Sequence, residues 1–189
     1  VELGVDYLKG GKTEVTEKWN DGETEKYELY GQMLLIQPKI VIKANPSTIT
    51  PYAKFGLAIG AMPKTTEDYT STWNNNVYTE KYEMDGGMAV GVTGALGFDY
   101  SLNSNMAIFT ELRSMAMSYS PKKGTYTKYD VNGADILSSM SVQSKEFEFV
   151  DSFTTDTTSP PDSTQPGKSP AVPFSFNSIG LNVGVQYQF

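Results

Sequence analysis

The 189-residue chain contains no cysteine and no histidine. The first absence removes disulfides and thiolate metal ligands. The second removes any Ser-His dyad or His-bearing triad, and the two together leave no usual zinc ligand set. No apolar run approaches the ~20 residues of a membrane-spanning helix; Met33-Leu34-Leu35-Ile36 is as long as any. Basic residues are in the minority, 15 against 22 acids for a net charge of −7. The basic patch that marks a nucleic-acid footprint is therefore not expected. Mean hydropathy is low, at −0.36, which does not separate a soluble protein from a β-barrel, whose strands dilute apolar residues with polar ones. No signal peptide opens the sequence. Val1 leads directly into an alternating strand, so residues upstream of it are expected to be missing.

What is present is period-two alternation, with glycine (17) and tyrosine (12) both plentiful. At the C-terminus Leu181, Val183, Val185, Tyr187 and Phe189 share one face, and Gly180, Asn182, Gly184, Gln186 and Gln188 share the other. Val1, Leu3, Val5 and Tyr7 alternate with Glu2, Gly4 and Asp6. Ala53, Phe55, Leu57, Ile59 and Ala61 alternate with Tyr52, Lys54, Gly56, Ala58 and Gly60. Met88, Val90, Val92, Leu96 and Phe98 oppose Gly87, Ala89, Gly91, Thr93, Ala95 and Gly97. Ile108, Leu112 and Ala116 oppose Glu111 and Arg113. Over 27–43, Leu34, Ile36, Ile40 and Ile42 face one way and Gln37 and Lys39 the other, with a bulge or broken ladder expected at Pro38. Such alternation suits a soluble sandwich and a membrane barrel equally.

Connector lengths separate the two. Segments 45–50 and 101–105 are short and turn-like, whereas 9–26, 63–83 and 120–173 are long and make up about half the chain. Short turns on one rim and long loops on the other are the asymmetry of outer-membrane barrels. The expected fold is all-β: one domain over 1–189, an antiparallel up-and-down transmembrane β-barrel with six of eight strands present. Six strands alone would leave two open edges in lipid, and an upstream hairpin is expected to close them. In the long loops, Asn20-Asp21-Gly22 and Asn132-Gly133 are hairpin turns, 146–149 is a further ribbon strand, and the proline-rich 159–173 is expected to be mobile.

Six charged residues are placed on the inward face: Glu2, Asp6, Lys39, Lys54, Glu111 and Arg113. Three acids against three bases suit a closed ionic network, because buried charges persist when paired and an eight-stranded bore is about filled by side chains. The alternative is a charged ion path. Little of this inner face is expected to be apolar. Its small residues make room for long side chains from facing strands, or line a cavity. Gly86, Gly87, Gly91, Gly94 and Gly97 make no phosphate-binding fingerprint, since no helix follows. Asp151, Asp156 and Asp162 lack the spacing of a calcium loop. Trp19, Trp73 and the loop tyrosines suit an adhesive surface or interfacial anchoring. No catalytic residue, metal ligand or cofactor is assigned.

The closing segment SIGLNVGVQYQF resembles the last strand of the outer-membrane β-barrel family of OmpA-like and porin-like small barrels. ITPYAKFGLAIG and ALGFDYSLNSNMAIFTELR resemble its internal hairpins, the second carrying an inward Glu-x-Arg. The resemblance implies that Leu181, Val183, Val185, Tyr187 and Phe189 form the signal read by the barrel-assembly machinery. It further implies a bacterial outer-membrane location, lipid as the surrounding partner, and long loops outside the cell, where an extracellular partner would bind. The expected function is a structural or surface-interaction barrel; the alternative is a narrow transporter for small, even hydrophobic, solutes, and the terminal phenylalanine and the unequal connectors argue against a soluble lipid-binding barrel resembling lipocalins.

Overall fold

The computed structural model describes residues 1–20, 22–154 and 162–187. It is all-β and mostly antiparallel. Strands run in chain order as β1 (Glu2–Lys9), β2 (Thr13–Lys18), β3 (Thr24–Lys43), β4 (Ile49–Trp73), β5 (Asn76–Asp85), β6 (Ala89–Ser101) and β7 (Met106–Tyr119). They continue as β8 (Lys123–Val131), β9 (Ala134–Asp135), β10 (Glu146–Val150), β11 (Gly167–Pro170), β12 (Phe174–Ser175) and β13 (Ser178–Tyr187). All belong to one sheet.

The sheet has two tiers. In the lower tier neighbours run β1-β3-β4-β6-β7-β13, each pair antiparallel. In the upper tier the long strands β3 and β4 continue, and the order becomes β2-β3-β4-β5-β8-β10-β11. β5 and β6 lie end to end along β4, separated by Gly86, Gly87 and Met88, the two glycines at positive φ (77° and 73°), where a side chain would be strained. β7 and β8 are broken at the same level, where Lys122 N donates to Asp85 O at 2.9 Å.

The lower tier curls. Four strand spacings separate β1 from β7, about 19 Å along a flat sheet. Yet Arg113 on β7 reaches Asp6 on β1 at 3.2 Å, so the sheet bends into a trough with these side chains on its concave face. The trough is not closed into a barrel. Among the described residues β1 pairs with β3 alone and β13 with β7 alone. The two edges flank a common opening, lined by Asp6, Tyr7 and Leu8 on one side and Ser178, Ile179 and Gly180 on the other.

Several expectations need correction. The segment 63–83 is not a loop: β4 continues to Trp73, turns at Asn74-Asn75 and returns as β5. Its polar sequence hid it, because neither face is apolar. Segment 120–173 likewise contributes β8 to β11. The Asn132-Gly133 turn has both residues at positive φ (53° and 80°), but its return strand β9 is only two residues long. Within the proline-rich stretch, Gly167–Pro170 pairs in parallel with β10; residues 155–161, with Asp156, lie outside the described residues, as do Asp21 and Phe189. At Pro38 the ladder to β4 is interrupted without a change of register. The register shift lies higher, between Gln32 and Leu34. There β4 spends two residues, Met62 and Pro63, against Met33 alone, with Met62 at φ 49°. This bulge moves the inward residues of β4 from even to odd positions, so the concave face runs on unbroken into the upper tier.

Candidate functional site

Alternation decides which side chains enter the trough. On the convex face of the lower tier, Leu3, Val5, Phe55, Leu57, Val90, Val92, Leu96, Leu112, Leu181, Val183 and Val185 are all exposed. Tyr100 and Tyr187 stand at the short-turn rim of this apolar surface, and Tyr7 at its other margin. Of the five positions in the terminal-strand pattern, Leu181, Val183, Val185 and Tyr187 face outward. Phe189 is the one outside the described residues.

The concave face is layered. Nearest the short turns, Lys43 pairs with Asp99 at 2.6 Å. Next comes a chain of four of the six charges assigned from the sequence. Lys39 meets Glu2 (3.0 Å), Glu2 meets Lys54 (2.9 Å), and Lys54 meets Glu111 (3.0 Å). Glu111 is 5% exposed, and both of its oxygens accept. The Tyr52 hydroxyl donates to Oε2, beside Lys54, at 3.0 Å and the Asn182 amide to Oε1 at 3.1 Å. A buried carboxylate survives when it is paired and hydrogen-bonded, and this one has three donors. Gly97 makes the arrangement possible, because a Cβ there would lie 2.8 Å from the Tyr52 ring. The remaining two charges, Asp6 and Arg113, form a separate pair one step higher, where Gln37 Nε2 also donates to Asp6 at 3.1 Å.

Above the charges lies a layer the sequence reading missed. Met33, Leu35, Ala58, Ala89, Met115, Met117 and Tyr119 are buried together, with Leu8, Phe174 and Phe176 packed on them. The inner face therefore carries more apolar side chains than expected. The signal was present: with Leu112 and Ala116 outward, parity puts Met115 and Met117 inward. Phe174 and Phe176 had no signal, since they enter from the end of the longest connector. Tyr119 seals this layer, its hydroxyl donating to Pro63 O at 3.2 Å. Tyr52 and Asn182 already stood on the polar faces of their strands but were given no part in the network; Lys43 and Asp99 were unassigned, although alternation extended by one or two positions places both inward.

In the upper tier the faces are exchanged. The convex face is now charged and paired: Lys26 with Glu14 (3.2 Å) and Glu28 (2.7 Å), Lys12 with Glu28, Lys64 with Glu83 (2.6 Å), and Lys128 with Asp130 (3.2 Å). The hydrogen bonds from Lys12 and Lys26 hold the Glu28 carboxyl at about 2. The concave face is aromatic, with Tyr27 against Tyr69 (4.7 Å between ring centres) and Tyr82 against Tyr126 (4.9 Å). Among the described residues, no three acidic groups converge as a hard cation requires. Asp162 spends its carboxylate on the Thr164 amide and hydroxyl (2.9 and 2.6 Å).

Comparison with protein-family models, curated proteins and solved structures finds no match for the chain.

Proposed function

We propose that the chain forms most of an integral outer-membrane β-barrel, with the lower tier in lipid and the upper tier displayed outside the cell as a surface-interaction platform. The observation that carries this reading is the exchange of faces along continuous strands. On β4, exposed Phe55 and Leu57 share the convex face with Asp68 and Thr70 higher up, on the far side of the bulge. A solvent change along the strand, from hydrocarbon to water, accounts for such an exchange. A soluble sheet with an exposed apolar belt this wide would aggregate. On β13 the belt runs from Ile179 to Tyr187, about 26 Å along the strand, close to the ~25 Å apolar band of such barrels. Tyrosines at its two margins match interfacial girdles.

The unpaired edges of β1 and β13 could not stand in lipid, where each orphaned backbone group is costly. Two further strands closing the gap would make the even number eight. The ion-paired layer beneath the methionine layer favours a closed anchor over a solute passage, because among the described residues the apolar layer is interrupted by charges and those charges are paired.

The test uses the full-length gene product. Expressed in a bacterial host, it should float with outer-membrane vesicles and resist urea and carbonate extraction. Cysteines introduced at Leu96, Leu112 and Val183 should react with a lipid-soluble maleimide and not with an impermeant one. Recovery in the soluble fraction, or impermeant labelling at these three sites, would overturn the membrane reading. In planar bilayers the closed anchor should give no stable single-channel steps.

A further inference from the structure

The concave face of the upper tier carries an assembly that the anchor reading does not use. Cross-strand register lines up Tyr27, Tyr69, Glu80 and Tyr129 in one row. It lines up Leu29, Glu67, Tyr82 and Tyr126 in the next. Between them is a cavity of about 330 Å³ lined by Tyr27, Glu67, Tyr69, Glu80, Tyr82 and Tyr126. All six are half-buried and keep part of their surface in solvent. The tyrosine pairs are tilted by 39° and 47° and do not stack flat, and Phe147 braces Tyr82 and Tyr126 edge-on at 5.9 and 6.2 Å.

The charge of this cavity is one-sided. Its lining includes two carboxylates and no basic side chain. A third acid, Glu25, sits at its edge and accepts from the Tyr69 hydroxyl at 2.9 Å and from Tyr27 at 3.3 Å. On the opposite face of the same strands Glu14, Glu28, Glu83 and Asp130 each have a lysine. Lys81, the nearest basic neighbour in sequence, points to that other face, toward Tyr30 and Asp68. Burial pushes the Glu67 carboxyl up. It pushes Glu80 up too, with Glu67 adding to the effect and the Tyr129 hydroxyl opposing it.

We propose that this tyrosine–glutamate cavity is a binding site for a small organic cation, an ammonium carrying apolar substituents. Electron-rich ring faces attract a cation that water solvates poorly, and Glu67 and Glu80 supply the neutralising charge. The volume lies at the small end of ligand pockets, suiting a headgroup-sized ligand. A bare metal ion fits worse, because aromatic rings offer it no oxygen shell. The same chemistry could arrive as a free solute or as a methylated lysine side chain. The site depends on the sheet and not on whether the lower tier lies in lipid.

The experiment is calorimetric titration of the full-length protein in detergent micelles. The probes are tetramethylammonium chloride, choline chloride, an acetyl-trimethyllysine amide, and 3,3-dimethylbutan-1-ol as the uncharged isostere of choline. The cations are expected to saturate with dissociation constants of about 1 mM or tighter, and the alcohol to bind at least about tenfold more weakly. Glu67→Gln, which keeps the side-chain shape, and Tyr82→Leu should each weaken choline about tenfold, while Glu28→Gln on the opposite face should change nothing. Choline binding tighter than the lysine derivative assigns a free solute, and the reverse order assigns a presented side chain. Equal binding of the alcohol, an unchanged constant for Glu67→Gln, or no saturable heat with any cation would overturn the proposal. If Tyr82→Leu fails to fold, the ligand series on the unaltered protein still decides.

Discussion

The two tiers share the long strands β3 and β4 and a continuous concave face, yet they dispose of charge in opposite ways. Below the Met62–Pro63 bulge, charge is turned inward, crowded and matched: Lys54 stands between Glu2 and Glu111 with little solvent. Above it, the matched charges are turned outward into water, and the inward acids Glu67 and Glu80 have no lysine partner among the described residues. A β-strand has two faces and no preference about which one meets the solvent. On the proposed membrane reading, what differs is the medium that each face must satisfy. An ion pair inside the lower tier is therefore an obligation, and a similar pair outside the upper tier is an ornament.

Lysine tests that contrast most sharply. Lys54→Met should cost about 3–5 kcal/mol, because it strands the buried Glu111 carboxylate. Lys26→Met should cost far less, because exposed pairs contribute little. Equilibrium urea unfolding of the folded protein in micelles would measure both, and equal losses would break the comparison.

An intermediate effect is expected from charge placed on the convex face. Leu112→Arg should destabilise the membrane-inserted protein by about 2–4 kcal/mol. Thr70→Arg, on the same face of the upper tier, should change stability by no more than about 0.5 kcal/mol. Unfolding titrations in lipid vesicles would give both values, and a tolerated Leu112→Arg would place the apolar belt in some other environment.

Backbone strain gives a smaller effect. Gly133→Ala forces a side chain into positive φ and should cost about 1 kcal/mol, confined to the tip of the upper tier. Hydrogen exchange should rise around Tyr129 and Val131 and stay unchanged in β13.

The smallest effect concerns pH, and its sign differs between the faces. Glu67 is raised in the folded state, so its contribution is fully present below the ordinary carboxylate value and is lost as pH rises through the raised one. Glu28 is lowered to about 2, so its contribution is present above the ordinary value and is lost as pH falls toward 2. Glu67→Gln should therefore raise the neutral-pH melting midpoint slightly, within about 0.5 kcal/mol for a half-exposed group. Glu28→Gln should lower it and flatten the acid limb. Thermal melts from pH 3 to about 8 would separate the two slopes.

Much of the lower tier was legible in the sequence because its faces contrast. Leu181 to Tyr187 announce a strand, and the same parity places Glu2, Lys39, Lys54 and Glu111 on one surface. Which acid meets which base was not legible. That depends on curl: nothing in the local sequence brings β1 to β7. The upper tier was harder to see because contrast vanishes there. In Lys64–Trp73 outward threonines and Asp68 alternate with inward Glu67 and Tyr69, so both faces look polar and a strand reads as a loop. The bulge gave no cue beyond a proline, and Pro38, the more obvious candidate, keeps its register.

The Met62–Pro63 bulge also bears on how such a surface can diversify. It absorbs the parity change at the boundary between tiers, so the strand pairing beneath it is indifferent to what lies above. Removing two residues from the β4 end and two from the facing β5 end would shorten the hairpin by one pleat and keep every remaining side chain on its present face. Insertions in the same units would lengthen it. The upper tier can thus change length in steps of one pleat while every pair below the bulge keeps its partner.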